Sequence, residues 1–378
     1  MRTKGITYAG TGVDYSAMDP FKREAQFAAV QTRGAQNLIR YGMREVTPSR
    51  GESAYLIETK DSYLAHVEEG LGTKNKVAAA MYALTGKSYY DQIAQDTVAM
   101  IANDVIPLGA LPLSVAMHLA VGDSKWFDDK QRSDDLIRGW KRACDLSCCV
   151  WSGGETPTLK DVVLPDSEVL SGSAMGIINP KSCRIQGDIQ DGDAIILIES
   201  SGIHANGLTL AREIAGKLPE GYLTELPNGR TYGETLLDPT LIYVPIIAIL
   251  QQLNIHVHYA VNITGHGWRK LMRASAPFTY IIETLPNQLP IFDFIQKYGP
   301  VDDREAYGNL NMGAGFALYV SQEVVSLVLR AINNDLPVLE SEQYFHAFVA
   351  GHIQKSDRKR VVIRPKNLEY DGSELQVR

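Results

Sequence analysis

Three acidic side chains stand where predicted helices or strands end, each next to a glycine or an asparagine. They are Glu69, Asp104 and Glu155. Carboxylate oxygens are ligands that Mg²⁺ prefers in proteins, and an acidic side chain at the C-terminal end of a helix is unfavourable unless a cation lies nearby. We therefore predict that the three carboxylates bind a metal ion. The alternative for each is an ordinary polar end of an element.

A glycine-rich loop, Gly70-Leu-Gly72-Thr73-Lys74, follows directly on Glu69. Its two glycines allow the backbone to turn N–H groups towards an anion. The threonine adds a hydroxyl group and the lysine a positive charge, which suits a phosphate. The spacing differs from that of a P-loop, which has four residues between glycine and Gly-Lys. A tight turn with a solvated lysine explains the same residues about as well.

A second loop, Ser200-Ser-Gly-Ile-His-Ala-Asn-Gly207, separates a predicted buried strand from a helix. Ligands gather at the C-terminal ends of such strands, and serine hydroxyl groups and N–H groups at a helix N-terminus can hold a phosphate. His204 could donate a hydrogen bond to a phosphate. The alternative is a helix cap made by Ser201 or Asn206, with a structural histidine. A glycine turn at Thr264-Gly265 is a weak signal by itself.

Hydrophobic periodicity predicts two α+β domains, residues 1–180 and 181–378, divided by a polar segment that ends near Gly192. In the first domain the pattern predicts a helix within 21–41, a hairpin of 54–58 and 63–67, a helix after Ser88, a strand at 111–120, a helix at 128–147, and strands at 149–151 and 169–178. In the second it predicts strands at 194–198, 278–282, 315–320, 346–352 and 360–363, and helices at 208–218, 241–253, 292–298 and 322–333.

The composition is that of an ordinary soluble protein. The 378 residues are 45% hydrophobic and carry a net charge of -7, so nucleic acid is an unexpected partner. The sequence shows neither a signal peptide nor a run of apolar residues long enough to span a bilayer, which predicts a cytoplasmic protein without a membrane partner. The four cysteines lack the spacing of a zinc site and are expected to be reduced.

Taken in order, these segments resemble the aminoimidazole ribonucleotide synthetase family over nearly the whole chain. The matching segments are Gly12-Val13-Asp14, Glu69 to Lys74, Val98 to Asp104, Gly153-Gly154-Glu155-Thr156, Ser200 to Gly207 and Thr264 to Gly267. The chain departs from the family pattern at Glu69, Ala205 and His266, where the family has aspartate, serine and glycine. The residues after Thr156 differ as well.

The resemblance implies ATP-dependent ring closure of formylglycinamidine ribonucleotide, with ADP and phosphate released. It implies two α+β domains, an N-terminal one that binds ATP and Mg²⁺ and dimerises, and a C-terminal one that completes the phosphoribosyl-substrate site. The N-terminal sheets of two chains are expected to pair into a barrel-like homodimer core; a monovalent cation requirement stays open.

The resemblance also implies site residues. Catalytic roles fall to His204 and Lys74; ATP contacts to Gly70, Gly72, Thr73, Lys74, Asn103, Gly153 and Gly154; substrate contacts to Ser200, Ser201, Gly202, His204, Asn206, Thr264 and Gly265; and metal ligation to Glu69, Asp104 and Glu155.

Two other functions compete with this one. A divergent member of the same superfamily would phosphorylate another small molecule, but a selenophosphate synthetase needs a reactive cysteine near the N-terminus, and the first cysteine here is Cys144. A non-catalytic nucleotide-binding relative would be expected to lose its metal ligands. Because Glu69, Asp104 and Glu155 are all carboxylates, the sequence favours an enzyme.

Overall fold

The structure is a computed structural model that describes residues 5–32, 34–336 and 343–375. It contains two α+β halves, each built on its own sheet, as the sequence predicts. Among the described residues, none of the helices has the length and apolar character needed to cross a membrane.

The first sheet has six strands in the spatial order β1-β2-β3-β6-β4-β5. Neighbouring strands run antiparallel except β4 and β5, which are parallel. The strands are β1 (Arg44–Glu45), β2 (Tyr55–Glu58), β3 (Tyr63–Gly70), β4 (Leu111–Val121), β5 (Val150–Glu155) and β6 (Glu168–Ile178); the helices are α1 (Tyr15–Val30), α2 (Ala35–Arg40), α3 (Lys74–Thr85), α4 (Tyr90–Val105) and α5 (Lys130–Leu146).

The second sheet has seven strands in the order β13-β12-β9-β11-β7-β10-β8. Its strands are β7 (Ala194–Glu199), β8 (Tyr259–Asn262), β9 (Phe278–Ile282), β10 (Ala314–Val320), β11 (Ala347–Lys355), β12 (Arg360–Ile363) and β13 (Leu368–Asp371). The helices of this half are α6 (Leu208–Ala215), α7 (Tyr232–Leu236), α8 (Val244–Gln252), α9 (Pro290–Tyr298), α10 (Asp303–Asn309) and α11 (Val325–Arg330), the last continued by a π-helical turn over Ala331–Asp335.

Helix α4 lies inside the protein rather than on its surface. The sequence predicts one apolar face, yet almost every residue of the helix is buried. The reason is that its polar face carries Gln95, Asp96 and Asn103, whose side chains are used by the second half of the chain. The helix therefore joins the two halves, and one hydrophobic core continues from the first sheet to the second.

Two predicted elements differ from the structure. The helix predicted within 21–41 is two helices, α1 and α2; α1 begins earlier than predicted, because Asp14 caps it by accepting a hydrogen bond from the backbone N–H of Ser16 at 2.9 Å. The strand predicted at 149–151 is longer in the structure, where β5 continues to Glu155. Gly154 makes this possible, since a Cβ there would overlap the backbone of Met117 on β4.

Candidate active site

A cavity of about 610 Å³ lies between the two halves of the chain. Helix α1 forms one wall, the ends of β3 and α4 form another, and the loops after β7 and β8 close it. Side chains of both charges face it, together with apolar ones: Tyr15, Met18, Phe21, Lys22, Glu69, Met100, Asp104, Asn206, Thr264, His266, Lys270 and Arg273. A cavity of this size and polarity, at an interface between domains, is the usual place for a small-molecule site.

Two of the predicted metal ligands meet in this cavity. Glu69, at the end of β3, lies beside Asp104, at the end of α4, and Asp104 accepts a hydrogen bond of 2.6 Å from the Asn262 side chain. Burial, together with the negative charge of Asp104, raises the pKa of Glu69 to about 8. Two neighbouring carboxyl groups cannot both ionise easily unless a cation compensates their charge.

The cavity also carries a group of cations that the sequence did not single out. They are Lys22 on α1 and Lys270 and Arg273, which follow the loop after β8. Lys270 donates a hydrogen bond to the Thr264 hydroxyl group. Burial lowers the pKa of Lys270 to about 8, while the charge of Asp104 acts in the opposite direction. Positive and negative charges thus face each other across one small space, which suits a phosphate bound together with a metal ion.

Helix α1 is held against the loop after β8 by an aromatic contact. The rings of Tyr15 and His266 are stacked with centroids 3.7 Å apart, and the His266 backbone N–H donates to the Tyr15 hydroxyl group at 3.2 Å. Gly265 is needed for this approach, because a Cβ there would lie 2.8 Å from the same hydroxyl oxygen. His266 therefore helps to position the wall of the cavity.

Lys74 lies away from the cavity. Its side chain is fully buried, and its ammonium group binds the Asp96 carboxylate at 2.8 Å and the Asp238 carbonyl oxygen at 2.7 Å. Asp96 in turn accepts a hydrogen bond from the backbone N–H of Thr240 at 2.8 Å. This buried ion pair joins α3, α4 and the second half of the chain. The predicted contact of Lys74 with a phosphate stays a prediction, and this geometry favours a structural role.

Asn103 has a similar position. Its side-chain amide donates to the Leu241 carbonyl oxygen and accepts from the Tyr243 backbone N–H, both at 2.8 Å. The sequence places Asp96 and Asn103 on one helix face, and in the structure both bind the segment that leads into α8. These bonds use one of the two amide N–H groups and one oxygen lone pair of Asn103, and its predicted contact with ATP stays a prediction.

The loop from 200 to 207 is closed by its own hydrogen bonds. Ser200 donates to the Gly202 carbonyl oxygen at 2.9 Å, and Ser201 donates from its hydroxyl group to Pro239 at 2.6 Å. The backbone N–H of Ser201 donates to Nε2 of His204 at 3.3 Å, and burial lowers the pKa of this histidine to about 3. His204 is thus a neutral, buried group behind the cavity. From this loop, Asn206 is the predicted residue that lines the cavity.

The two predicted phosphate loops touch each other. The Thr73 hydroxyl group lies 3.4 Å from that of Thr209, and Gly72, with a φ of 77°, faces the Ala205 carbonyl group. Gly70 belongs to the last part of β3. The two loops line a common junction beside the cavity, but Gly70, Gly72 and Thr73 are not among the residues that face it.

Glu155 lies apart from the other two predicted metal ligands. The strand register pairs Glu155 with His118, His118 with Ser171, and Ser171 with Gly70. Glu69 is one residue before Gly70, so its side chain points to the opposite face of the sheet. Within one chain the three carboxylates therefore do not form one ligand set. Glu155, Gly154 and Glu68 face a separate shallow cavity of about 390 Å³, and Gly153 lies exposed beside them.

Sequence reasoning found five of the residues that face the main cavity: Glu69, Asp104, Asn206, Thr264 and Gly265. It missed the cations and Tyr15. The signal that could have found two of them is the basic run Arg269-Lys270-Leu-Met-Arg273, directly after the glycine turn. Lys22 has no local signal, because it reaches the cavity through the packing of α1.

Both halves of the chain match domain models of known protein families. Residues 51–178 match the N-terminal domain model of AIR synthase related proteins, and residues 190–364 match the C-terminal domain model of the same proteins. The fold and the cavity between its two domains therefore define an AIR synthase related protein.

Curated relatives show which family within this class the chain belongs to. A phosphoribosylformylglycinamidine cyclo-ligase from Methanocaldococcus jannaschii is 32% identical over 87% of this chain and 89% of its own length. Relatives of the same name from Methanococcus maripaludis and Carboxydothermus hydrogenoformans are 33% and 30% identical, over 93% and 94% of this chain and 93% and 98% of theirs. The chain belongs to the phosphoribosylformylglycinamidine cyclo-ligase family, as the sequence motifs predict.

Solved structures share the fold at lower sequence identity. The protein tt0281 from Thermus thermophilus is 17% identical, with a TM-score of 0.55 over 84% of this chain and 90% of that one. A structure described as AaThiL complexed with AMPPCP and TMP is 13% identical, with a TM-score of 0.59 over 98% of this chain and 97% of that one.

Proposed function

We propose that this protein closes the imidazole ring of aminoimidazole ribonucleotide, with ATP and formylglycinamidine ribonucleotide as its substrates and ADP and phosphate as the other products. The observation that carries the proposal is the cavity between the domains. It combines the carboxylate pair Glu69 and Asp104 with the cations Lys22, Lys270 and Arg273, in a chain that belongs to the cyclo-ligase family.

The chemistry requires that a poor leaving group be made a good one. The γ-phosphoryl group of ATP is transferred to the formyl amide oxygen. A nitrogen of the same substrate then attacks the activated carbon, the new C–N bond closes the ring, and the C–O bond to phosphate breaks. The protein positions the two substrates and stabilises the charge on the transferred group. Lys270 and Arg273 are placed to neutralise phosphate oxygens, and Asn206 and Thr264 to donate hydrogen bonds to the substrate.

The residues present fit a divalent cation at Glu69 and Asp104. Two carboxyl groups lie side by side in a partly buried place, and their oxygens are the hard ligands that Mg²⁺ accepts. When bound, Mg²⁺ would neutralise the charge of the phosphates. Asn262 holds Asp104 in position through the hydrogen bond of 2.6 Å.

The outer face of the first sheet supports pairing of two chains. Strand β6 alternates between buried and accessible residues, and two of its apolar side chains, Val169 and Met175, are 49% and 48% exposed. Exposed apolar positions on a wide antiparallel sheet are typical of a surface that another layer covers. We infer a homodimer in which the two first sheets face each other.

The decisive experiment measures ADP release from ATP and formation of the cyclised product by mass spectrometry. We expect both to depend on formylglycinamidine ribonucleotide and on Mg²⁺. Formylglycinamide ribonucleotide is the matched control, because it carries an amide where ring closure needs the amidine. Nucleotide binding without substrate-dependent ADP release would indicate a non-catalytic protein, and release with another phosphoryl acceptor alone would indicate a different enzyme of the same fold.

A further inference from the structure

Three metal-ligating side chains meet at a place remote from the carboxylate pair. Asp188, His256 and His258 each bring one ligand atom within 4.8 Å of the others. In residues 5–32, 34–336 and 343–375, this is the one group of three or more histidine, cysteine, aspartate or glutamate side chains so arranged. Asp188 belongs to the segment between the two sheets, and the histidines lie directly before β8.

The backbone holds the two segments in place. The N–H group of Gly187 donates to the His258 carbonyl oxygen at 3.1 Å, and the N–H group of His258 donates to the Tyr319 carbonyl oxygen at 2.9 Å. His256 and His258 lie two residues apart in the segment that leads into β8, and Val257 between them is buried. Main-chain hydrogen bonds that need no ligand therefore hold the segment of Asp188 beside the segment of the two histidines.

A buried carboxylate orients one of the histidines. Asp193 lies 2.7 Å from Nδ1 of His258, and both side chains are almost fully buried. The same carboxylate oxygen accepts a hydrogen bond of 2.8 Å from the backbone N–H of Gln190. A carboxylate bonded to one ring nitrogen fixes the tautomer and directs the other nitrogen towards a metal, an arrangement that metal-binding histidines usually have. Nε2 of His258 is then the nitrogen left for an ion.

The geometry points to a binding site for a divalent transition metal of the zinc class, made by Asp188, His256 and His258. Two imidazole nitrogens and one carboxylate suit Zn²⁺, Co²⁺ or Ni²⁺ better than Mg²⁺, which prefers oxygen ligands alone. The carboxylate of Asp188 lies 2.7 Å from Nε2 of His256, so a small separation of these two groups would admit an ion between them. Three protein ligands leave a fourth position for water.

Such an ion would tie the segment between the sheets to the start of β8. It is bound by residues that do not face the cavity between the domains, and it therefore serves stability rather than the ring-closing reaction. Because a ligand that binds only the folded state raises its stability, an equivalent of Zn²⁺ should raise the melting temperature of the protein.

The test is titration of the metal-free, full-length protein with Zn²⁺ by calorimetry, and with Co²⁺ by visible absorption. With Mg²⁺ in excess to occupy the carboxylate pair Glu69 and Asp104, we expect one equivalent of Zn²⁺ to bind, a ligand-field spectrum of four-coordinate Co²⁺, and a higher melting temperature. His256→Ala removes an exposed ligand and should weaken Zn²⁺ binding by at least about tenfold. Asp193→Asn should weaken it by about 10- to 100-fold, the usual effect of losing such an orienting carboxylate.

The matched control is His352→Ala. His352 is also partly exposed and faces a carboxylate, with Nδ1 3.7 Å from Glu283, but no third ligand is part of that pair in the described structure. The control should bind Zn²⁺ as the unaltered protein does. The inference is wrong if the unaltered protein binds no equivalent of Zn²⁺, or if His256→Ala and His352→Ala bind it equally well. Because ring closure is not measured, this result is independent of the proposed function.

Discussion

The proposed chemistry of the cavity depends on a pair of carboxyl groups that the protein holds close together. Glu69 and Asp104 come from different elements, and burial next to Asp104 raises the pKa of Glu69 to about 8. This arrangement costs stability in the absence of a cation. Such a cost is typical of residues kept for function, and it allows the role of the pair to be separated from folding by mutation.

We expect Glu69→Gln and Asp104→Asn to lower kcat by at least about 100-fold, the order of magnitude seen when one transition-state electrostatic contact is removed. Their melting temperatures should stay within a few degrees, since each change removes one carboxyl group of a pair that does not readily ionise together. The measurements are ADP release and thermal unfolding of each variant beside Glu213→Gln, an exposed carboxylate on α6. Near-normal turnover in either variant would remove the pair from the metal site.

Glu155→Gln belongs to the same series. The sequence assigns Glu155 to the metal, whereas one chain places it on the other face of the sheet from Glu69. Severe loss of turnover would mean that a second chain brings Glu155 to the site, and unchanged turnover would exclude it from the ligand set.

Lys74 and Lys270 are expected to behave differently. Lys270 faces the cavity, so Lys270→Met should weaken binding of a non-hydrolysable ATP analogue by about 1.5–3 kcal/mol, the value of a lost charge-assisted hydrogen bond. Lys74→Met should instead lower the free energy of unfolding by about 3–5 kcal/mol, because Asp96 is left charged and buried. Calorimetric titration and denaturant unfolding of both variants test this. The opposite result would restore Lys74 to the phosphate site.

At the scale of single residues, the sequence predicts the residue types that line the cavity better than their positions. Glu69 and Asp104 were found because each stands at the end of an element. Lys74 and Asn103 stand in equally suggestive places, but tertiary packing uses their polar atoms between the domains. No local pattern distinguishes a lysine that faces a ligand from one that faces a buried aspartate.

At the scale of elements, the wall formed by α1 depends on a close approach to the loop after β8. Gly265→Ala would place a methyl group about 2.8 Å from the Tyr15 hydroxyl oxygen, which is too close for an ordinary contact. We expect α1 to move outwards, KM for the nucleotide to rise several-fold and kcat to change less. Tyr15→Phe removes the hydroxyl group and should restore KM in the double variant. A double variant no better than Gly265→Ala would contradict this account.

Most elements could be predicted from the sequence, because their apolar periodicity is strong. The hairpin of β2 and β3, helix α5 and strand β9 lie where the pattern places them. Strand β1 has only two residues, which is too few to show a period. The sequence predicts only residues 149–151 of strand β5, because two consecutive glycines lack the side chains of a strand pattern, whereas in the structure Gly154 allows close contact with β4.

At the scale of the whole molecule, buried neutral histidines should make the protein sensitive to acid. Burial lowers the pKa of His204 from 6.5 to about 3, so the unfolded chain binds a proton that the folded chain does not. The stability from this group is complete above pH 6.5 and is lost as the pH falls towards 3, at up to about 1.4 kcal/mol per pH unit. His266, whose pKa burial also lowers to about 3, adds to the effect.

The measurement is the free energy of unfolding of the unaltered protein and of His204→Gln between about pH 7.5 and pH 5. The His204→Gln variant should lose less stability over this range than the unaltered protein. The turnover of the variant then shows whether His204 has a structural or a catalytic role. Normal turnover in the folded variant would make His204 a structural group, whereas a loss of about 10²–10⁴ in rate would support its predicted catalytic role.

The assembly of two chains is the largest-scale property that the structure suggests, and it rests on the outer face of the first sheet. Met175 lies on β6 in the middle of that sheet and is 48% exposed. A dimer that buries this face would have to bury a charge in Met175→Glu, which costs several kcal/mol unless the charge is paired. We therefore expect the unaltered protein to sediment as two chains and Met175→Glu as one.

Val162→Glu is the matched control, because Val162 is 80% exposed and lies outside the strands; it should leave the dimer intact. If both variants remain dimeric, the two chains meet through another surface, and the barrel-like pairing of the first sheets is wrong.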